Sequence, residues 1–176
     1  ELTLEQKLES LNSLTKESLE NCPNTIGKDL IIFLGLSGSG KSTSINFCHG
    51  CQLISNIKGI ESSLDVFPFE QNKGMLDAVT DIGHYFNSKT DWPKIIYSSD
   101  IDCYFCDTPG FMDNRGAAIN IANTLSIVNV LNNASSLRFV ICLRYSSLFS
   151  DRGREFFETM DSLEQLFGGK QALKEK

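Results

Sequence analysis

The sequence predicts an α/β domain in which helices cover both faces of a mostly parallel sheet. Three apolar stretches of strand length carry this prediction, at 29–34, 101–106 and 137–143, and segments of helical character separate them. Strands that alternate with helices are typical of parallel sheets, because each helix returns the chain to the same edge. With 176 residues, of which 41% are hydrophobic and 22% charged, the chain is long enough for one such domain.

Helices are predicted at both ends of the chain and between the strands. Leucines recur at helical spacing from Leu4 to Leu14, and Thr3 with Gln6 forms a capping-box pattern. A turn-rich break follows, so we divide the chain into a helix and linker (1–24) and a main domain (25–176). The other predicted helices lie at 43–48, at 75–86, at 116–133 and at 151–167. The last of these stops at Gly168. In the helix at 116–133 we expect one apolar face, formed by Ile121, Leu125, Val128 and Leu131.

Residues Gly35 to Ser42 read Gly-Leu-Ser-Gly-Ser-Gly-Lys-Ser, a complete G-x-x-x-x-G-K-[ST] phosphate loop. It follows an apolar strand and precedes a helix, which is the context that this motif requires. The main-chain N–H groups of such a loop and the helix N-terminus attract an anion. Lys41 would reach the β- and γ-phosphates, and the Ser42 hydroxyl would ligate Mg²⁺. The residues predicted to bind a nucleoside triphosphate are Gly35, Ser37, Gly38, Ser39, Gly40, Lys41, Ser42 and Thr43.

A second motif, Asp107-Thr-Pro-Gly110, ends the strand at 101–106 and lies 66 residues after Lys41. A carboxylate at the carboxyl end of a buried strand beside the phosphate loop is able to hold Mg²⁺. Gly110 allows a backbone N–H to approach the γ-phosphate closely, because glycine has no Cβ. The predicted metal ligands are therefore Ser42 and Asp107, and Gly110 joins the nucleotide-binding residues.

The phosphate loop and Asp107-Thr-Pro-Gly-Phe111 together resemble the translation-factor-like class of P-loop GTPases, with septins and the immunity-associated GTPases as the nearest relatives. The similarity extends roughly over 30–169. It implies a three-layer P-loop NTPase fold that binds GTP or GDP with Mg²⁺, and it places Asp107 and Gly110 in switch II. It also implies a switch I threonine that caps Mg²⁺; Thr90 is the first candidate and Thr80 the second. For Thr90, a surface turn residue is an equal alternative.

Two departures from that family pattern limit what the resemblance implies. No Asn/Thr-Lys-x-Asp motif, which reads the guanine base in the family, follows the strand at 137–143. The chain ends at Lys176, about where the strand that carries that motif should begin. We therefore expect a sheet without its last strands, as in a fragment of a longer polypeptide, and guanine over adenine rests on the resemblance alone.

The second departure concerns catalysis. Small GTPases place a water-orienting glutamine directly after the switch II glycine, where this chain has Phe111. Hydrolysis is then slow or needs a group from elsewhere, and Arg115 lies where a mobile segment would present it to a phosphate. An exposed or ion-paired loop arginine is the favoured alternative. The predicted catalytic residues are Lys41, Thr90 and Arg115, in a GTP-binding switch domain with slow hydrolysis. A non-catalytic nucleotide-binding scaffold and an ATP-binding protein stay open.

Composition narrows the partners and the location. The formal net charge of −6 argues against broad nucleic-acid binding, which needs a basic surface. The uncharged stretch at 116–137 is long enough to cross a bilayer, but it contains five asparagines, so we reject a membrane helix. The first 20 residues carry charges throughout and lack the apolar core of a signal peptide. We expect a cytoplasmic protein that binds a nucleotide and that self-associates or joins a larger assembly.

Overall fold

A computed structural model of the chain describes residues 3–51, 53–57, 64–68, 79–80, 90–113, 115–149 and 153–168. In this part of the chain, helices and strands follow one another in an α/β order. The helices are α1 (Leu4–Glu20), α2 (Lys41–Cys48), α3 (Ala117–Asn133) and α4 (Arg154–Leu166); the strands are β1 (Asp29–Leu34), β2 (Leu53–Ile57), β3 (Leu64–Pro68), β4 (Lys94–Ser98), β5 (Cys103–Asp107) and β6 (Ser136–Ile141).

Four strands form a mixed, mostly parallel sheet in the order β4-β5-β1-β6. Strands β5 and β6 run parallel to β1 on either side of it, and β4 is antiparallel to β5. Strands β2 and β3 pair with each other in a separate antiparallel pair. The sheet confirms the prediction of mostly parallel strands. The sequence did not predict β2, β3 or β4, because 50–95 lacks a regular hydrophobic period, and the predicted helix at 75–86 lies outside the described residues except for 79–80.

One face of the sheet packs against α3 and α4. Successive side chains of a strand point to opposite faces, and alternate residues of β1 illustrate this. Leu30 and Ile32 are at most 1% exposed and belong to a core cluster that includes Ile127 of α3 and Leu163 of α4. Burial of these branched apolar side chains is what holds the two helices on this face.

The opposite face packs against α2. Phe33 of β1 and Phe105 of β5 form an edge-to-face pair with ring centroids 5.8 Å apart. Ile45 of α2 is fully buried in the same cluster. Helices therefore lie on both faces of the sheet, as predicted, and α2 is held directly over the strands that end at the phosphate loop and at Asp107.

Helix α1 packs against α3. Its predicted capping box is present: the Thr3 hydroxyl accepts a hydrogen bond from the Gln6 N–H, and the Gln6 side chain accepts one from the Thr3 N–H. Ser18 is fully buried, and its hydroxyl donates to the Ala122 carbonyl of α3 at 3.0 Å. The helix ends at Glu20, just before the predicted break.

The apolar face predicted for α3 is wrong in two of its four residues. Ile121 and Leu125 are 46% and 40% exposed. The residues that α3 buries are Ala122, Asn123, Ser126, Ile127 and Val130. This helix is apolar on most sides and is packed between the sheet and α1, so hydrophobic periodicity has too little contrast to indicate which side is buried.

The parallel arrangement brings the ends of three strands to one edge of the sheet. Phe33, at the end of β1, is the register partner of Asp107, at the end of β5, and Leu34 is that of Ile141 in β6. The loop after β1 and the segment after β5 therefore start side by side. In open α/β sheets this carboxyl edge is where ligands bind.

No helix among the described residues is both long enough and apolar enough to cross a membrane.

Candidate functional site

The loop after β1 turns sharply and leads directly into α2. Gly38 and Gly40 have φ angles of +74° and +90°, which favour glycine. Gly40 is the N-cap of α2, so the helix begins at Lys41 with no side chain capping its first N–H groups. These groups and the positive end of the helix dipole therefore stay available to an anion at this edge. Ser37, Ser39 and Thr43, also predicted to bind nucleotide, lie in the same loop and first turn and are partly buried.

The Lys41 side chain is buried inside the curl of the loop. Its Nζ donates hydrogen bonds to the carbonyl oxygens of Gly35, at 3.2 Å, and Leu36, at 2.9 Å. Burial lowers the pKa of Lys41 from 10.5 to about 8, although the nearby Asp107 carboxylate opposes this change. A partly desolvated ammonium of this kind interacts strongly with any anion that enters the loop.

Two hydroxyls converge on one oxygen of Asp107. Ser42 Oγ donates to Asp107 Oδ2 at 2.7 Å, and Thr80 Oγ1 donates to the same atom at 2.6 Å. The other oxygen, Oδ1, is buried and has no hydrogen-bond partner among the described residues. Burial raises the pKa of Asp107, whereas the two hydroxyls and the Lys41 ammonium oppose the rise.

The donor set at Asp107 suits a hard divalent cation. Magnesium prefers oxygen ligands and is usually bound by one or two carboxylates together with substrate phosphates. Asp107, Ser42 and Thr80 supply one carboxylate and two hydroxyls, each hydroxyl within hydrogen-bond distance of the carboxylate. A cation would also satisfy the orphaned Oδ1 and offset the cost of burying its charge. Across the described residues, no group of three or more His, Cys, Asp or Glu side chains offers an alternative metal site.

The segment after β5 packs directly on the phosphate loop. Ser37 donates its N–H to the Phe111 carbonyl at 3.2 Å, and Phe111 donates its N–H to the Gly35 carbonyl at 3.1 Å. A Cβ on Gly110 would overlap the Cα of Ser37 and lie 2.5 Å from its nitrogen. Glycine is thus required at 110 by the close approach of two backbones. Phe111 is 8% exposed and belongs to the main core cluster, so its side chain stabilises the fold.

Of the two threonine candidates, Thr80 donates a hydrogen bond to Asp107, at 2.6 Å. Thr90 is buried and lies four residues before Lys94, the register partner of Asp107 in β4. From the sequence, Thr90 was the first candidate and Thr80 the second. Thr80 reaches Asp107 across 27 positions of the chain, and no local pattern indicates such a contact.

Arg115 is held by two carboxylates. Its guanidinium contacts Asp113 through Nε and Nη2, the latter at 2.7 Å, and Asp91 through Nη1 at 2.5 Å. These acidic partners raise the pKa of Arg115. The ion-paired alternative weighed for this arginine is therefore what the structure contains.

Asn46 of α2 is a site residue that the sequence did not indicate. It is fully buried and hydrogen-bonds to the backbone of Val79 and Thr80. The one available signal was a polar residue next to the buried Ile45, one helical turn after Ser42.

Comparison with known proteins identifies no relative: no protein-family model, no curated protein and no solved structure matches the chain.

Proposed function

We propose that the chain is a GTP-binding switch domain that hydrolyses GTP slowly with Mg²⁺. One observation carries the proposal: Ser42 of the phosphate loop and Thr80 both donate to Asp107, whose second oxygen is buried without a partner among the described residues. This is the oxygen cluster that a magnesium ion needs beside a polyphosphate.

The groups at the site would each bind a different part of the nucleotide and its Mg²⁺. The N–H groups at the start of α2 and the Lys41 ammonium would face the β- and γ-phosphates. Ser42, Thr80 and Asp107 would hold Mg²⁺, which when bound neutralises charge on those phosphates. Gly110, packed on Ser37, would bring its own backbone close to the γ-phosphate. Positioning and charge neutralisation would thus supply most of the rate enhancement.

Loss of the γ-phosphate would remove contacts to the segments that carry Gly110 and Thr80. Such segments relax in GTPase switches, which is the basis for proposing a switch here. Thr80 is the threonine that we now prefer, because its hydroxyl donates to Asp107.

Guanine is proposed on the family resemblance alone, and ATP is the competing substrate. The two substrates are distinguished by measuring how well unlabelled GTP and unlabelled ATP displace a fluorescent GTP analogue from the chain. Displacement by GTP at a concentration at least ten times lower than by ATP supports guanine, and the reverse order would replace GTP by ATP in the proposal.

A non-catalytic scaffold is the second candidate, and the burial of Phe111 favours it. The Phe111 side chain is part of the core, and the backbone N–H and carbonyl of Phe111 are hydrogen-bonded to the loop. Phe111 therefore does not orient an attacking water. The rate of phosphate release is compared between wild type and Ser42→Ala. Equal rates, with nucleotide still co-purifying with the wild-type chain, would support the scaffold.

The deciding experiment is Mg²⁺-dependent nucleotide binding by calorimetry. Lys41→Ala should weaken binding by at least 100-fold, because it removes the buried ammonium. Lys16→Ala is the matched control, since Lys16 is exposed and forms a surface ion pair with Glu20 at 3.9 Å. Equal affinity of Lys41→Ala and wild type would refute nucleotide binding at this loop.

The assembly and the location belong to the same proposal. We propose self-association or docking in a larger assembly by analogy with septins. A cytoplasmic location is supported by six cysteines without disulfide bonds, four of them buried, which suits a reducing compartment.

A further inference from the structure

The Asn46 side chain forms hydrogen bonds both within its own helix and to a distant segment of the chain. Its Nδ2 donates to the Ser42 carbonyl, one turn earlier, at 2.9 Å. The same nitrogen donates to the Thr80 carbonyl at 2.8 Å, and Oδ1 accepts from the Val79 N–H at 2.8 Å. The side-chain amide thus pairs with a backbone N–H and a backbone carbonyl from a segment more than 30 positions away.

This pairing holds the backbone that carries the Thr80 hydroxyl. The Val79–Thr80 backbone is bonded to Asn46, and the Thr80 hydroxyl reaches Asp107 at 2.6 Å. Ser42 and Asn46 are four residues apart, so they lie on the same side of α2. Ser42 contacts Asp107 directly, whereas Asn46 bonds to the backbone of Ser42 and of Thr80, the two residues whose hydroxyls reach Asp107.

The chemistry of the asparagine side chain is specific to this task. An asparagine has both a donor and an acceptor, and both are used here. A leucine of similar size would leave the Val79 N–H and the Thr80 carbonyl without this partner. An aspartate would lose the donor and place a second buried carboxylate near Asp107, where like charges repel.

We infer that Asn46 is a positioning residue that docks the Val79–Thr80 segment on α2 and so places the Thr80 hydroxyl at the Mg²⁺ ligand Asp107. This inference rests on the proposed function. It predicts that Asn46 contributes to the Mg²⁺-dependent part of nucleotide affinity and not to the part that remains in EDTA. Outer partners of metal ligands commonly contribute 10- to 100-fold to metal affinity.

The test compares GTP affinity in Mg²⁺ and in EDTA for the full chain and its variants. Asn46→Ala should reduce the gain that Mg²⁺ confers about tenfold, with affinity in EDTA unchanged. Thr80→Val should lose the same gain, and the double variant should lose no more than either single one, because Asn46 acts through Thr80. Phe47→Ala, an exposed neighbour on α2, and Val130→Ala, a buried residue on the other face of the sheet, are the controls for local and for general effects.

Hydrogen exchange of the Val79 amide, measured by NMR without nucleotide, gives a second readout. Protection should fall in Asn46→Ala and persist in Thr80→Val. If Asn46→Ala does not fold, Asn46→Ser replaces it, and Thr80→Val is still informative. Equal losses of affinity with and without Mg²⁺, or a loss equal to that of Val130→Ala, would reduce Asn46 to a structural role. A wild-type chain that binds no nucleotide would instead refute the proposed function.

Discussion

The charge state of Lys41 links the site to the stability of the fold. Its side chain is 7% exposed, so the ammonium gives up most of its hydration and relies on two carbonyl oxygens and a nearby carboxylate. A bound polyphosphate would supply several negative charges at this position and so offset the lost hydration of the ammonium. Buried charges with strongly perturbed pKa values are frequent at functional sites for this reason.

Lys41 should therefore produce a distinct dependence of stability on pH. Its pKa is about 8 in the folded state, against the ordinary lysine value of 10.5, so the unfolded state binds more protons between these pH values. Stability should rise with pH across that window, by about 3 kcal/mol from this group. The measurement is the free energy of unfolding in EDTA from pH 7 to 10.5, with Lys41→Met as reference. A constant difference between the two proteins would contradict the prediction.

Asp107 should give the opposite dependence of stability on pH. Its pKa is raised by burial, so the folded state binds the proton more tightly, and ionisation lowers stability as pH rises through the folded pKa. In EDTA at pH 7, Asp107→Asn should be more stable than wild type, and the difference should shrink toward pH 4. With Mg²⁺ and GTP, the same variant should lose the stabilisation that the ligands confer on wild type. Asp100→Asn, an exposed aspartate, is the control, and a less stable Asp107→Asn in EDTA would refute the argument.

At the scale of elements, the loop after β1 and the segment after β5 behave as one backbone unit. Two backbone hydrogen bonds, which together form a parallel bridge between Leu36 and Phe111, join them, and Gly110 fits against Ser37 with no room for a Cβ. A shift of either segment therefore moves the other. This is the direct physical route by which a ligand at the loop would act on the segment that follows Asp107.

Gly110→Ala should separate the two segments. The added Cβ must displace Ser37 backbone atoms, which costs about 1–3 kcal/mol of stability and should weaken nucleotide binding at least tenfold. Gly50→Ala is the control, because Gly50 has φ +87° but no atom near its Cβ position. It should cost about 1 kcal/mol and leave binding intact. Chemical denaturation and calorimetry measure both quantities, and indistinguishable variants would show that the close approach is unimportant.

Arg115 connects two further segments, at 91 and at 113. The Asp113 side chain is fully buried, whereas that of Asp91 is 51% exposed. Arg115→Ala should cost about 2–3 kcal/mol, because it removes the cation bound to a buried carboxylate, and Asp91→Asn should cost less than about 1 kcal/mol. Because the guanidinium is committed to these partners, phosphate release per bound nucleotide should change less than about twofold. A loss of 100-fold or more in turnover would restore the catalytic role considered for this arginine.

At the scale of the whole molecule, the sequence predicted what local chemistry determines. The phosphate loop needs glycines and a lysine at fixed spacing, and the strand before it and the helix after it are read from adjacent residues. The pairing of Asp107 with Ser42 followed because parallel neighbouring strands end at one edge. That last contact spans 65 positions, but it follows from the order of regular strands alone.

What the sequence did not predict depends on contacts with segments that lack a regular hydrophobic pattern. Strands β2, β3 and β4 come from a stretch without regular periodicity, and the contact of Thr80 with Asp107 is made through that stretch. Asn46 was missed because its partners, Val79 and Thr80, lie in the same stretch. The buried side of α3 was misjudged because α1 covers it, and Ser18, a polar residue, is buried in that contact.

The contact between α1 and α3 predicts that the N-terminal helix unfolds together with the rest of the described fold. Trp92 is the single tryptophan of the chain, and it lines a small cavity with Leu14 of α1 and Ala122 of α3. Its fluorescence therefore reports whether α1 is docked. We expect denaturation curves from Trp92 emission and from far-ultraviolet circular dichroism to coincide.

Two substitutions in α1 test this cooperativity. Ser18→Ala should shift both curves together by about 1 kcal/mol, since it removes a buried donor from the Ala122 carbonyl. Leu8→Ser, at a position 57% exposed, should shift neither curve. If Trp92 emission changes at lower denaturant than the circular dichroism does, α1 detaches first, and 1–24 then behaves as a separate unit, as the division at 24 assumed. Coincident curves would instead extend the domain to α1, because a helix that shares one transition with the sheet shares its core.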